Sequence, residues 1–144
     1  MGEILRVNRL RPRAVLPQRA TAGASALDLH ACLEGEALVL GKDPVLVTTG
    51  IALEIPPGLD VQVRPRSGLF RQGVAVALGT IDSDYRGEVL VTMYLIGARD
   101  QYEVHHGDRI AQLVIGRLAE VPVVEVEELS STEREGGGHG STGV

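Results

Sequence analysis

The sequence predicts an all-β domain: an antiparallel sandwich, jelly roll or barrel. Three observations predict it. Eighteen Gly and 7 Pro cut the 144 residues into short segments. Several of those segments alternate apolar with polar side chains or are rich in β-branched residues. No segment keeps a helical period over about 11 residues. Many short strands at close spacing are the signature of an antiparallel two-layer or closed sheet.

In chain order, residues 1–18 mix Arg, Asn and Pro with short apolar pieces and predict no regular element. Strands are expected at 27–31, 37–40, 45–48, 51–55, 59–64, 74–78, 88–96, 109–116 and 121–126. Pro56, Pro57 and Gly58 read as a hairpin turn between two of them. Val61 and Val63 alternate with Gln62 and Arg64, which makes one apolar and one polar face. One helical turn is expected at 67–71, with Ser67 as its N-cap. The last fifteen residues, rich in Gly, Ser and Glu, cannot build a core. The expected domains are therefore a β-barrel over 1–129 and a Gly-rich arm over 130–144.

Composition narrows the classes further. The chain is 44% apolar, which is too apolar for a disordered chain, with three Tyr, one Phe and no Trp, so its core must be aliphatic. No apolar run approaches the roughly 20 residues of a membrane span. The single Cys32 excludes an intramolecular disulfide and a Cys-based zinc cluster, and suits a reducing compartment. The N-terminal residues lack a signal peptide's apolar run, and Arg6 stands where a myristoylation motif needs Ser or Thr. A cytoplasmic location is expected. A net charge of −5 argues against a general nucleic-acid binder, whereas Arg64, Arg66 and Arg71 leave room for a site that takes a small anion.

Four polar clusters could carry chemistry. In the stretch from Gly79 to Glu88, Asp82 and Asp84 sit two apart, so in an extended chain they would face the same way. By spacing alone they read first as ordinary turn formers and second as a metal- or water-holding pair, and Tyr85 shifts the balance somewhat toward the second. Arg64-Pro65-Arg66-Ser67-Gly68 reads as an anion site at a helix start or as a plain cap beside a solvated Arg. In Gly107-Asp108-Arg109-Ile110-Ala111-Gln112-Leu113, alternation places Gln112 on the solvent face. Asp28, between Leu27 and Leu29, is a structural acceptor or a holder of metal-bound water. His105 and His106 are adjacent, face opposite ways on a strand, and read as structural. The arm with Gly136 to Gly138 is a frayed tail or a phosphate-embracing loop. It lacks the Lys of a Walker A motif.

These clusters, in this order, resemble the five motifs of the trimeric dUTPase family. Ala22-Gly23 through Asp28-Leu29 is similar to the first. Pro65-Arg66-Ser67-Gly68-Leu69 is similar to the second, and the stretch from Gly79 to Gly87 to the third. Gly107 to Leu113 is similar to the fourth, and Arg134 with Gly137 to Gly143 to the fifth. The resemblance runs from about Leu5 to the C-terminus. It implies a jelly-roll or distorted β-barrel subunit, a homotrimer, and three active sites at subunit interfaces. It implies Mg²⁺-dependent hydrolysis of dUTP to dUMP and pyrophosphate, which keeps uracil out of DNA and supplies dUMP for thymidylate synthesis. Under it, Asp82 is the general base for a water attacking the α-phosphorus. Tyr85 packs under the deoxyribose. Arg66, Ser67, Gly68 and Gln112 hold the phosphates, and Asp28 acts through the metal's water shell. Arg134 reaches the γ-phosphate and His139 covers the uracil. Gly79, Thr80 and Ile81, with Gly140 and Ser141 of the arm, complete the substrate-binding set. No nucleic acid and no membrane are among the implied partners.

Two departures stand out. His139 occupies a position where the family often has Phe. The stretch 73–79 is shorter than the family's usual base-binding hairpin and lacks its common Asn. Two alternatives stand beside this reading. A dCTP deaminase shares the fold but needs a Glu where this chain has Met93 or Tyr94. A non-catalytic trimeric jelly-roll binding module would not explain Asp82, Tyr85, Arg134 and the Gly-rich arm together.

Overall fold

The structure, a computed structural model, describes residues 2–138. Among these the chain forms ten strands and one helical turn. They are β1 (Arg6–Arg9), β2 (Ala26–His30), β3 (Ala37–Leu40), β4 (Val45–Glu54), β5 (Leu59–Arg64), α1 (Ser67–Arg71), β6 (Val74–Val76), β7 (Gly79–Ile81), β8 (Glu88–Leu95), β9 (Tyr102–His105) and β10 (Arg109–Arg117).

Two four-stranded antiparallel sheets carry the architecture, ordered β1-β4-β8-β6 and β2-β10-β5-β7, with β3 and β9 paired beside them. Alternation along the strands aims one face of each sheet inward. In β8, Val89, Val91, Met93 and Leu95 are buried while Leu90, Thr92 and Tyr94 turn outward. Val61 and Val63 of β5, Leu113 of β10 and Leu29 of β2 supply the opposing layer. The core is aliphatic, as composition requires. None of the four aromatic rings is fully buried, and Phe70 is 51% exposed.

Several expectations are corrected. Segments 45–48 and 51–55 are one strand, β4, whose register against β8 shifts between Thr48 and Ala52. Gly50 lies at that shift with φ +72, a left-handed conformation that reads in sequence as a strand break. Pro56, Pro57 and Gly58 do not make a hairpin turn, because β4 and β5 belong to different sheets. They carry the chain from one layer to the other. Likewise β6 and β7 lie in different sheets, so 73–79 is not a hairpin. The Ala77 N–H donates to the Thr92 carbonyl at 2.9 Å before the chain crosses. Strands β1, β7 and β9 were not expected, being short and punctuated by Arg, Gly or Glu. Arg66, not Ser67, is the N-cap of α1, and it makes no side-chain cap bond. Residues 121–126 form no strand within the chain.

Candidate active site

The expected site residues fall into two cavities. The first, about 210 Å³, is lined by Val63, Gly79, Thr80, Ile81, Asp82, Tyr85, Glu88, Val89 and Leu90. It lies where β7, paired with β5, gives way to β8 in the other sheet. The loop 82–87 bridges that gap and is tightly closed. The Tyr85 N–H donates to the Asp82 carbonyl at 3.0 Å. Arg86 Nη1 donates to the Ser83 carbonyl at 2.7 Å and to the Tyr85 carbonyl at 3.3 Å. This turn separates the two acids that an extended chain would have aligned. Asp82 faces the first cavity, whereas Asp84 lines a separate cavity of about 610 Å³ with Arg6, Glu54 and Arg86. Apart from Asp84, that larger cavity holds none of the candidate site residues singled out from the sequence. Asp82 and Asp84 therefore line different cavities, and Asp82 stands beside β7 while Glu88, the other acid lining the first cavity, is bonded to Arg11.

The Tyr85 hydroxyl donates to the Glu88 carbonyl at 2.8 Å. Its ring lies over Gly87, where a Cβ would stand 2.6 Å from Cζ. Gly87 is thus required for the close approach, and Tyr85, 44% exposed, presents a flat wall to the cavity.

The second cavity, about 480 Å³, brings together Asp28, Arg64, Arg66, Ser67 and Gln112 with Ala24, Ser25 and Ala26. Strand pairing does this. Gln112 of β10 lies opposite Asp28 of β2 on one side and Arg64 of β5 on the other. Gln112 is half-buried on the outer face of β10, as alternation predicts, between buried Ala111 and Leu113, and its Nε2 donates to the Pro65 carbonyl at 2.9 Å. Arg66 Nη1 donates to the Arg109 carbonyl at 3.2 Å. The two bonds tie the turn before α1 to β10. The Gly68 position is open, with nothing within 4 Å of where its Cβ would be.

Arginines dominate the field here. Arg109 Nη1 lies 3.7 Å from Asp28 Oδ2. His30, across the ladder from Arg109, registers the same charge. Burial lowers its pKa, Asp28 works the other way, and Arg109 and Arg66 lower it further. Its Nδ1 is the buried side-chain polar atom left without a partner among the described residues. Such a groove, with arginines and the unbonded first amides of a helical turn, suits an anion.

As a magnesium site the groove offers one carboxylate. Among the described residues no three His, Cys, Asp or Glu side chains converge. That donor set fits Mg²⁺ held mainly by substrate oxygens and water, which is its usual habit, with Asp28 reaching it through water.

Arg134 is exposed, and its carbonyl accepts the Gly137 N–H at 3.2 Å. His139, Gly140 and Ser141 lie outside the described residues. Of the adjacent histidines, only the His106 imidazole is tied into the fold by a hydrogen bond among the described residues. Asp108 Oδ2 accepts the His105 main-chain N–H at 2.8 Å, and His106 Nδ1 accepts the Leu33 N–H at 3.1 Å. Sequence reasoning missed Glu88 as a cavity wall and Arg11 as its partner, since only the folded chain brings them together.

The dUTPase family model matches residues 13–143 of this chain. The deoxyuridine 5′-triphosphate nucleotidohydrolase of Hydrogenobaculum sp. (strain Y04AAS1) is 48% identical over 143 residues, covering 97% of this chain and 98% of that protein. The enzyme of the same name from Caulobacter vibrioides is 47% identical over 134 residues, covering 90% of this chain and 86% of that protein. Among solved structures, the dUTPase of Staphylococcus bacteriophage 80alpha with dUpNHpp superposes with a TM-score of 0.83 at 25% identity, over 99% of this chain and 100% of that one. A mutant dUTPase of S. aureus phage phi11, described with a structural Mg(II) ion, has the same fold, with a TM-score of 0.76 at 24% identity over 87% of this chain and 97% of that one.

Proposed function

This chain belongs to the dUTPase family, and we propose that it hydrolyses dUTP to dUMP and pyrophosphate with Asp82 as general base. The observation that carries the reading is the first cavity, where the Asp82 carboxylate and the Tyr85 ring flank β7.

The Asp82 carboxylate orients a water and takes its proton as the oxygen attacks the α-phosphorus, and the bond to pyrophosphate breaks. The main chain of Gly79, Thr80 and Ile81 reads the base edge. Tyr85 packs under the deoxyribose and leaves no room for a 2′-hydroxyl. Arg66, Ser67, Gly68 and Gln112 hold the phosphates, and Asp28 holds water of the metal shell. Mg²⁺, when bound, neutralises charge on the phosphate oxygens. The arm 130–144 folds over the nucleotide, with Arg134 on the γ-phosphate and His139, Gly140 and Ser141 against the nucleoside, and excludes water.

Two features support a homotrimer with composite sites. The two cavities share no lining residue within one chain, which suits a site completed by halves from different copies. Residues 116–136 are exposed throughout, including Val121, Val124 and Val126, with Val123 at 98%. A strand-forming stretch with no ladder in its own chain supplies one to a neighbour. No helix among the described residues is long and apolar enough to cross a membrane. We place the enzyme in the cytoplasm because its single Cys32 suits a reducing compartment.

The deaminase alternative is disfavoured at the residues that matter. Met93 is buried in the core and Tyr94 is half-buried. Glu88 is the acid in β8, and its carboxylate is already taken by Arg11 and Gly50. The test is a nucleotide panel of dUTP, dTTP, dCTP and UTP, with and without Mg²⁺, scored for pyrophosphate and ammonia. Pyrophosphate from dUTP alone, dependent on Mg²⁺ and reduced roughly 10²–10⁴-fold by Asp82→Asn, is expected. Unchanged release by that variant would show that Asp82 is not the base.

A further inference from the structure

The turn after β1 meets the start of β8 at the edge of the Asp82 cavity. Arg11 lays its guanidinium fork on the Glu88 carboxylate, Nη1 at 3.2 Å from Oε1 and Nη2 at 2.5 Å from Oε2. The same carboxylate accepts the Gly50 N–H at 2.8 Å. Glu88 is thus clamped by a side chain from the N-terminal turn and by the irregular point of β4. Its main-chain carbonyl is the acceptor for the Tyr85 hydroxyl, at 2.8 Å. Arg11 on the Glu88 side chain and Tyr85 on the Glu88 main chain are therefore linked through the covalent frame of one residue. The pair is bidentate and its Glu side chain is largely enclosed, 19% exposed. Ion pairs of that geometry hold a position, whereas single exposed pairs do little. Burial alone would raise the Glu88 pKa, but the Arg11 guanidinium and the Gly50 amide outweigh it and hold the carboxyl below its ordinary value. The clamp is therefore charged at neutral pH.

We propose that Arg11 and Glu88 are a positioning pair that sets where the Tyr85 ring stands, and through it the discrimination between deoxyribose and ribose nucleotides. The proposal rests on the reading of Tyr85 as the wall under the sugar. Rejecting a hydroxyl by contact demands a wall that does not yield, because small displacements at such a site are costly to selectivity. Tyr85 sits on a loop, and its hydroxyl is anchored to one carbonyl. The stiffness of that carbonyl is the stiffness of the wall, and the Glu88 side chain pins the residue that carries it. Arg11 touches neither Asp82 nor the second cavity in this arrangement, so its effect passes through Tyr85.

The test measures pyrophosphate release from dUTP and UTP by the full chain and by Arg11→Met, Arg11→Lys and Tyr85→Ala. Arg11→Met is expected to narrow the dUTP:UTP ratio of kcat/KM by about tenfold, mostly through KM, with kcat for dUTP within about threefold. Lys keeps the charge without the fork and recovers part of the ratio. A second readout uses protein labelled with 3-fluorotyrosine. Of its three fluorine resonances, the one assigned by its loss in Tyr85→Phe should shift or broaden in both Arg11 variants while the other two hold. If the Met variant does not fold, the Lys variant carries both comparisons. A ratio and a Tyr85 resonance unmoved in the Arg11 variants, with Tyr85→Ala relaxed toward UTP, overturns the positioning role alone. An unchanged ratio in Tyr85→Ala overturns the sugar-wall reading and the proposal with it.

Discussion

Adding one carbon at Gly50 probes the junction that supports this side of the molecule. Gly50 has φ +72, and a Cβ there would stand 2.8 Å from Ala14 Cβ and 2.9 Å from Cys32 Sγ. Both neighbours are buried, so neither can swing aside into solvent. Gly50→Ala therefore meets two separate penalties. Holding an L-residue in the left-handed region costs roughly 1–2 kcal/mol, and forcing a methyl into a filled core costs roughly 1–3 kcal/mol. The expected loss is about 2–5 kcal/mol, a large share of the ~5–15 kcal/mol that holds a typical domain folded. The assay is urea unfolding followed by far-UV circular dichroism at one fixed protein concentration, since the chain has no Trp to report. The midpoint should fall with the slope unchanged. The same substitution in an Ala14→Gly background removes the Cβ–Cβ contact, and its penalty should shrink by about 1 kcal/mol or more. A loss under about 0.5 kcal/mol, or an equal loss in both backgrounds, would refute the packing reasoning.

Two more outcomes are expected. Deleting residues 136–144 should lower turnover by roughly 10²-fold through loss of closure while leaving the oligomer intact, because that segment is Gly-rich and polar and its removal keeps the exposed Val-rich stretch 121–126 in place. A truncation with full turnover, or one that dissociates in size-exclusion chromatography with light scattering, would contradict this. The Glu88 pKa is lowered in the fold from its ordinary 4.5, so its contribution to stability is present above about pH 4.5 and is lost as pH falls through the lower folded value. Glu88→Gln should flatten that acid limb, and a limb of unchanged steepness in acid unfolding curves would remove Glu88 from it.

Much of the fold was legible because β-structure writes a period of two into the chain. β5, β8 and β10 were found nearly to their ends from alternating Val, Leu and Ile. Strands β1, β7 and β9 were not, because at three or four residues with Arg, Gly or Glu among them they carry too little pattern. They exist by pairing with longer neighbours: β1 on β4, β7 on β5, β9 on β3. Residues 121–126 failed the other way. Their Val-rich pattern carries a strand signal, but among the described residues they pair with no strand.

The site divided along the same line. Arg66, Ser67, Asp28 and Gln112 were named from short motifs, and β-pairing then brought them into one groove. Asp82 and Tyr85 were named from one loop, and the loop's own turn aimed Asp82 away from Asp84.

By itself the sequence determined the aliphatic core, the all-β class and the ordered motifs that place the chain in its family, since side-chain type and period are local properties that no partner can alter. Tertiary structure alone decided that Pro56 to Gly58 crosses between sheets and that the motifs split between two cavities. It alone placed Arg11 on Glu88, 77 residues away. Those outcomes depend on which distant backbone amide and which distant charge each group meets, and hydrogen bonding and Coulomb attraction act across space with no trace in the spacing along the chain.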